Sequence, residues 1–349
     1  MSKFLSSKYD KLVPYTPGEQ PKVKLIKLNT NESPFPPSPF AQKTARETAG
    51  DLQLYSDIAC AKLTQVAAEK LNISEDQIIF SNGSDEILFF AMSAFCDKER
   101  TVVFPDVTYA FYKVFADLVG ATYEEIPVKE DLSVDPSDYI GINKNIFIAN
   151  PNAQTGISLP LSDIEEIVKS NPDNIVLVDE AYVDFGGESA VCLINKYDNL
   201  IVTQTFSKSR SLAGARLGFA VASKELIKDL NTIKFSVNPY NVNSMTQAAG
   251  IGALADESYF KMNCTKIIEN REYTIKKLKE LGFVSTDSKA NFILSKNDKI
   301  SGGELQKKLR EKGILVRHFN EIKLDPYVRI TIGSREQMDA LIEAVEEFL

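Results

Sequence analysis

The sequence predicts an α/β protein, and three observations carry that prediction. Short apolar runs end abruptly in polar residues: NIFIANPN (residues 145–152) and NIVLVDEAY (174–182) read as buried strands of a largely parallel sheet that stop at a site. A third strand, Asn199–Phe206, runs directly into a turn that holds Lys208. Helical spacing fills other segments, as with Leu63, Val66, Ala67 and Leu71 inside residues 60–72. With 349 residues, 44% of them hydrophobic, the chain can bury a sizeable core and is expected to form two domains.

Taken in order, the first thirty residues are an arm rich in turn formers that ends in KLIKLNTNESPFPP, a short apolar strand followed by a proline-broken loop. Tyr55 follows a helix in DLQLYSD; a lone tyrosine there is ordinarily half-buried packing. After the helix of residues 60–72, the strand IIF leads into SNGSDE, where the chain turns from strand to helix. Gly83 permits an unusual backbone angle and Ser84 can cap. The free N–H groups of a helix starting near Asp85 would then point at an anion. Alone, this stretch is an ordinary capped helix with first-turn acids; beside Ser207 and Arg216 it becomes a phosphate cradle. TVVFPDVTYAFYKVFADL reads as a strand, a proline turn and an aromatic-rich helix, with Phe111, Tyr112 and Phe115 as packing.

The segment TQTFSKSRSLAGARLG gathers the chemistry. Thr205 and Ser207 supply hydroxyls before Lys208, and Arg216 adds a planar donor fork, so a bound phosphate is expected. A lysine beside a phosphate is either a point-charge clamp or a nucleophile that forms an imine with a cofactor aldehyde. Asp179, at the carboxyl end of the preceding strand, is placed to face the same ligand, with one strand, one helix and the next strand expected between the two residues. An acid and a lysine around a phosphate-bearing ring are what pyridoxal 5'-phosphate requires, the lysine for the imine and the carboxylate for the pyridinium nitrogen. A nucleotide explains Asp179 less well.

Beyond Val221 the spacing predicts a helix over 224–232, the NPYNVN loop, a helical stretch of small residues and a long helix over 259–281. A strand at 291–294, a helix at 303–311, strands at 314–317 and 328–332 and a closing helix at 335–349 follow. Arg317 and Arg329 lie in these last strands. Arg329 interrupts the apolar run YVRITIG, and a buried arginine without a partner is costly, so either an internal salt bridge or an anionic ligand is expected beside it.

Composition excludes more than it identifies. Forty basic against forty-eight acidic side chains give a net charge of −8, so no broad electrostatic footprint for nucleic acid is expected. Cys60, Cys96, Cys192 and Cys264 are too far apart for a metal pair or a disulfide framework, which suits a reducing cytoplasmic location. The single histidine, His318, leaves little room for a Ser-His-Asp triad or a multi-histidine metal site, and no metal is expected. The start, MSKFLSSKYD, has no apolar core of signal-peptide length. Residues 235–255 are uncharged but carry Asn238, Pro239, Asn241, Asn243 and Gln247, so they read as a loop entering a helix rather than a membrane span.

SNGSDE, TYAFY, NPNAQTG, VDEAY, TFSKSRSLAGARLG and VRITIGSRE occur in the order seen in fold-type I aminotransferases, and within that group the chain resembles the histidinol-phosphate aminotransferase family. The resemblance runs from LVPYTPGE near the start to the last arginine motif. It implies a fold-type I pyridoxal-phosphate-dependent transferase: a large domain (31–250) with a mostly parallel seven-stranded sheet flanked by helices, a smaller α+β domain (251–349), and an arm (1–30) packing with the small domain. Lys208, Asp179 and Tyr182 would be catalytic. Gly83, Ser84, Asp85, Tyr109, Asn152, Thr205, Ser207 and Arg216 would join them in binding the cofactor, Tyr109 by stacking on its ring. Tyr55 would reach the cofactor phosphate of the other subunit of a homodimer. Tyr15, Arg317 and Arg329 would bind substrate, with the loop around Asn31 and Glu32 nearby.

In this sequence the family's asparagine, which donates to the cofactor's ring oxygen, is replaced by Ala153; either Asn152 reaches in its place or Tyr182 holds that oxygen alone. The activity implied is transamination between L-histidinol phosphate and 2-oxoglutarate in histidine biosynthesis. Two alternatives are threonine-phosphate decarboxylase, which shares the cofactor apparatus, and a non-catalytic cofactor-binding scaffold.

Overall fold

In the computed structural model, residues 2–10 and 12–349 are described; Met1 and Lys11 of the arm lie outside the described residues. The strands, in chain order, are β1 (Ile26–Leu28), β2 (Ile78–Ser81), β3 (Val102–Pro105), β4 (Tyr123–Ile126), β5 (Asn145–Ala149) and β6 (Val176–Asp179). They continue with β7 (Leu200–Thr205), β8 (Gly218–Ala222), β9 (Phe283–Ser285), β10 (Phe292–Asn297), β11 (Ile314–His318) and β12 (Tyr327–Thr331). Seven of them form one sheet in the order β2-β8-β7-β6-β5-β3-β4. Within it β8 runs antiparallel to both neighbours and the other pairings are parallel. Every residue of β2, β3, β5, β6 and β8 is buried, because helices cover both faces of this sheet and branched apolar side chains fill the gap. The edge strand β4 is the exception. Its Glu124 and Glu125 face outward and pair with Lys144 and Lys113, and charge of this kind blocks edge-to-edge association.

The other five strands form a second sheet, β1-β11-β12-β10-β9, in which β1 adds in parallel to β11 and the remaining pairs are antiparallel. The arm's short apolar strand therefore completes this sheet. The helix Glu257–Glu280 leads from the first sheet's helices into the second, and the closing helix Arg335–Glu346 begins at a capping box made by Ser334 and Gln337.

The structure departs from the sequence reading between β6 and β7. That connection holds two short 3-10 turns, Val183–Phe185 and Ala190–Leu193, in place of an α-helix. Gly186, at φ +128, and Gly187 interrupt it, and no helical apolar stripe spans the segment. The helix starting at Lys224 extends to Val237, five residues past its expected end, because Asn238 and Pro239 stop it only there. Residues 235–255 resolve into this helix end, a loop and the helix Ser244–Ala255, which Asn243 caps. No helix among the described residues is long and apolar enough to cross a membrane.

Glycine at 218 fixes how closely two segments approach. A Cβ there would lie 2.3 Å from the Ser84 backbone nitrogen and 2.5 Å from the Gly83 carbonyl carbon, neither of which can swing aside. Gly218→Ala is expected to cost about 2–3 kcal/mol of stability, read as a lower denaturation midpoint, because the strand and the helix start must separate.

Candidate active site

The carboxyl ends of β5, β6 and β7 open into a cavity of about 740 Å³ that the second sheet and the arm roof over. Asp179 is the last residue of β6 and its carboxylate is buried. It accepts hydrogen bonds from the Tyr112 hydroxyl (3.1 Å) and the Ala181 backbone N–H (3.2 Å). Burial pushes the Asp179 carboxyl up to about 7, against the pull of the Tyr112 hydrogen bond and of Lys208. Lys208 follows β7, and its Nζ lies 5.7 Å from the centre of the Tyr182 ring. Tyr182 in turn packs edge-on against Phe292 of β10, with ring centres 5.1 Å apart, so the two sheets meet at this phenol.

Around one end of the cavity stand Ser84, Asp85, Thr205, Ser207 and Arg216. Arg216 donates to the Asp85 carboxylate at 3.0 Å, and the Tyr109 hydroxyl donates to the other oxygen of Asp85 at 2.8 Å. The Thr205 hydroxyl donates to Ser207 Oγ at 3.0 Å and accepts from the Ser207 backbone N–H. Gly83 sits beneath the guanidinium. With φ +85, it leaves room that a Cβ would fill, at 2.4 Å from an Arg216 nitrogen. The sequence cradle is therefore assembled at the start of the helix Ser84–Phe95, with Asp85 holding the arginine in place.

At the opposite end, antiparallel pairing of β11 with β12 sets Arg317 directly across from Arg329. Two like charges in register repel, and a shared anion would reverse the sign of that interaction. Arg329 donates to the Ala153 carbonyl (2.9 Å) and to Gln154 Oε1 (3.0 Å), while its buried Nε has no hydrogen-bond partner. Burial, above all, lowers its pKa, and the Arg317 charge adds to that. No internal salt bridge neutralises it among the described residues. Arg317 donates to the Thr16 and Pro17 carbonyls and so ties down the arm. Tyr15, on the same arm, stacks on Phe111 with ring centres 4.4 Å apart and lines the cavity.

Most residues singled out in the sequence thus meet in one place, and three do not line the cavity. Gly83 acts from beneath Arg216. Asn152 is turned away: its amide donates to the Val107 carbonyl, and its side-chain oxygen accepts from the Gln154 and Thr155 backbone N–H groups. With its side-chain oxygen held inside the NPNAQTG turn and its amide donating to the Val107 carbonyl, Asn152 is directed away from the cavity and does not stand in for the donor missing at Ala153. Tyr55 is 83% exposed and stacks on Tyr240 outside the cavity.

Two contributors escaped sequence reasoning. Tyr112, read as packing, is wholly buried and its hydroxyl donates to Asp179; it lies one residue into the helix Phe111–Val119, and its ring meets that of Tyr109 edge-on at 5.9 Å. Gln154 carries an acceptor to Arg329. Glu32 lines the cavity and is held by Lys27 and Thr30.

The cavity fits pyridoxal 5'-phosphate by its donor set. One end offers hydroxyls, a helix start and an arginine for a phosphate; a buried carboxylate and a lysine lie between that end and an arginine pair with an unpartnered Nε.

The family model described as aminotransferase class I and II matches residues 23–345. The chain is 49% identical to histidinol-phosphate aminotransferase from Brachyspira hyodysenteriae, over 99% of each chain. It is 45% identical to histidinol-phosphate aminotransferase from Acinetobacter baumannii (strain AYE), covering 99% of this chain and 97% of that protein. In fold it is similar to the crystal structure of histidinol-phosphate aminotransferase from Sinorhizobium meliloti in complex with pyridoxal-5'-phosphate. That match has a TM-score of 0.85 at 24% identity and covers 93% of this chain and 92% of the other.

The raised Asp179 pKa has a consequence for stability. A carboxyl whose folded pKa exceeds its ordinary 3.8 favours the fold while protonated; that contribution is complete below 3.8 and lost as pH rises through about 7. Glu180, also buried and pushed up to about 7, behaves alike but is common to both proteins compared here. In cofactor-free protein, Asp179→Asn is therefore expected to melt close to the wild type at pH 4 and higher at pH 8. The gap should reach about 1–2 kcal/mol, read by thermal unfolding across that range.

Proposed function

The chain belongs to the class I and II aminotransferases, and from that premise we propose that it transfers the amino group of L-histidinol phosphate to 2-oxoglutarate, giving imidazole acetol phosphate and L-glutamate in histidine biosynthesis. The observation that carries this reading is the convergence of Lys208, Asp179 and the Arg317–Arg329 pair on one cavity. When bound, pyridoxal phosphate supplies an aldehyde that links to an amine and a ring that takes up the electron pair released at the substrate's α-carbon.

Each side chain then has a task its surroundings support. Lys208 Nζ would hold the cofactor and, when free, would carry the substrate's α-proton. The Asp179 carboxylate keeps a proton on the ring nitrogen; the resulting ion pair favours the ionised acid, reversing the effect of burial. Tyr182 would donate to the ring oxygen and Tyr109 would cover the ring face. Ser84, Asp85 (through its backbone), Thr205, Ser207 and Arg216 receive the phosphate. Arg317 and Arg329 bind the substrate's phosphate in one half-reaction and the dicarboxylate's distal carboxylate in the other, by forked charged hydrogen bonds. Tyr15 and the arm close the site against water. Residues 31–250 carry the cofactor side of this division and residues 251–349 the arginine side.

We also place the protein in the cytoplasm as a homodimer. Tyr55, Ile58, Phe235, Val237 and Tyr240 are exposed apolar or aromatic side chains on neighbouring segments, a surface that a second copy would cover. Tyr55 would there reach the partner's cofactor phosphate. Sedimentation should give a dimer mass, and replacing Phe235 and Val237 with aspartate should give monomers with weakened cofactor retention; a wild-type monomer would overturn the arrangement.

The reaction is tested by following the bound cofactor's visible absorbance. Histidinol phosphate should abolish the band and 2-oxoglutarate restore it, and release of carbon dioxide instead would assign the chain to the decarboxylases. Lys208→Ala should remove turnover while leaving the fold. Arg329→Ala should raise KM for both substrates by about tenfold or more, the loss of a charged hydrogen-bonded pair; an effect on one substrate alone would refute the shared anion site.

A further inference from the structure

We infer that Asn31 is a positioning residue that aims the Tyr182 hydroxyl at the cofactor's ring oxygen and so supplies the restraint that this chain lost at Ala153. The proposal rests on the assignment of that cofactor to the cavity. Its basis is a chain of hydrogen bonds joining the arm loop, the second sheet and the phenol.

Asn31 is buried, 2% exposed, and its amide nitrogen lies 3.0 Å from the Tyr182 hydroxyl. The orientation of that amide follows from its neighbour. Thr331 Oγ1 accepts from the Asn31 backbone N–H at 2.9 Å, so the threonine proton is directed to Asn31 Oδ1, 3.2 Å away. Oδ1 is therefore the accepting end, and Nδ2 is the end that donates to Tyr182. The backbone is equally constrained. Asn31 sits at φ +55, a left-handed conformation that asparagine tolerates, and its carbonyl accepts from Asn291 Nδ2 at 3.0 Å.

A phenol that accepts from Asn31 has its own proton left to give. Among the described residues the Tyr182 hydroxyl makes no other hydrogen bond, and the residue lines the cavity beside Lys208. The donor that Asn31 supplies thus occupies one lone pair of the phenol and leaves its O–H free to donate within the cavity that both residues line. Asn152, in the turn beside Ala153, does not act similarly, because its side-chain oxygen is held by that turn and its amide donates to the Val107 carbonyl. The same device links the two ends of the site. Thr331 and Arg329 are two residues apart on β12 and share a face, so the strand that presents the arginine also holds the residue that orients the phenol.

The test uses the cofactor-loaded enzyme and reads the pH at which the bound cofactor's visible absorbance changes, with no substrate present. Asn31→Asp keeps size, left-handed backbone and the contact with Thr331, but turns the donor facing Tyr182 into an acceptor that draws the phenol proton away. Asn31→Gly keeps the backbone and removes the side chain. The expected result is an upward shift of the spectroscopic transition in both variants, by roughly one pH unit or a tenfold change in the equilibrium for Asn31→Asp, and by less for Asn31→Gly. In a Tyr182→Phe background, Asn31→Asp should add no shift.

A merely structural role predicts the reverse order, with the isosteric aspartate milder than glycine, and that order would overturn the proposal. So would a full shift by Asn31→Asp in the Tyr182→Phe background. A wild-type protein that shows no visible band after incubation with pyridoxal phosphate would instead refute the cofactor assignment, which keeps the two failures distinct.

Discussion

A carboxylate buried at the end of a central strand is the constraint on which the rest of this structure depends. An ionised acid in such a place needs donors or a cation, and without enough of them it moves toward the neutral form. Asp179 receives one phenol and one backbone N–H, which leaves its pKa near 7. The strand that carries it is paired on both sides by parallel strands and cannot shift to expose it. The carboxylate is thus held ready for a cationic partner, and the phenol of Tyr112 is held with it by aromatic packing on Phe147 and Phe104.

The opposite wall of the cavity has the complementary defect. Two arginines in register, one with a buried nitrogen lacking a protein partner, form a cationic surface suited to an anion. Gln154 and the Ala153 carbonyl take up one edge of Arg329, so the guanidinium is fixed in direction before any ligand arrives. Such preorganisation lowers the entropic cost of binding and explains why a cation is maintained in a partly buried strand. Arg317 meanwhile spends its donors on carbonyls of the arm, so an anion that engages it competes with the arm's tether.

Between these walls Tyr182 and Asn31 join the sheets. Tyr182 packs on Phe292 of the second sheet and bonds Asn31, which is held by Thr331 and Asn291 of the same sheet. A change in one sheet's position is felt at the phenol. Rigid placement of a donor is what an electrostatic site requires, since a donor that must reorient loses part of its effect.

The sequence by itself determined the strand ends and the residue types that cluster at them. Apolar runs stopping at Asp179, Asn150 and Lys208 are set by burial on both faces of a parallel sheet, and the lysine, acid, hydroxyls and arginine are adjacent to those stops in the chain. It also determined that Arg329 would need a partner, an internal salt bridge or an anionic ligand, because an unpaired cation in an apolar strand is costly. Only the tertiary structure decided the partners. Asn31 and Tyr182, like Tyr112 and Asp179 or Arg329 and Gln154, are far apart in sequence, and hydrogen bonds between such pairs depend on sheet order and register, which local periodicity does not encode. The same reason explains Asn152: its position in the motif suggested a ligand contact, but two hydrogen bonds within the turn and one to the distant Val107 carbonyl direct its side chain elsewhere.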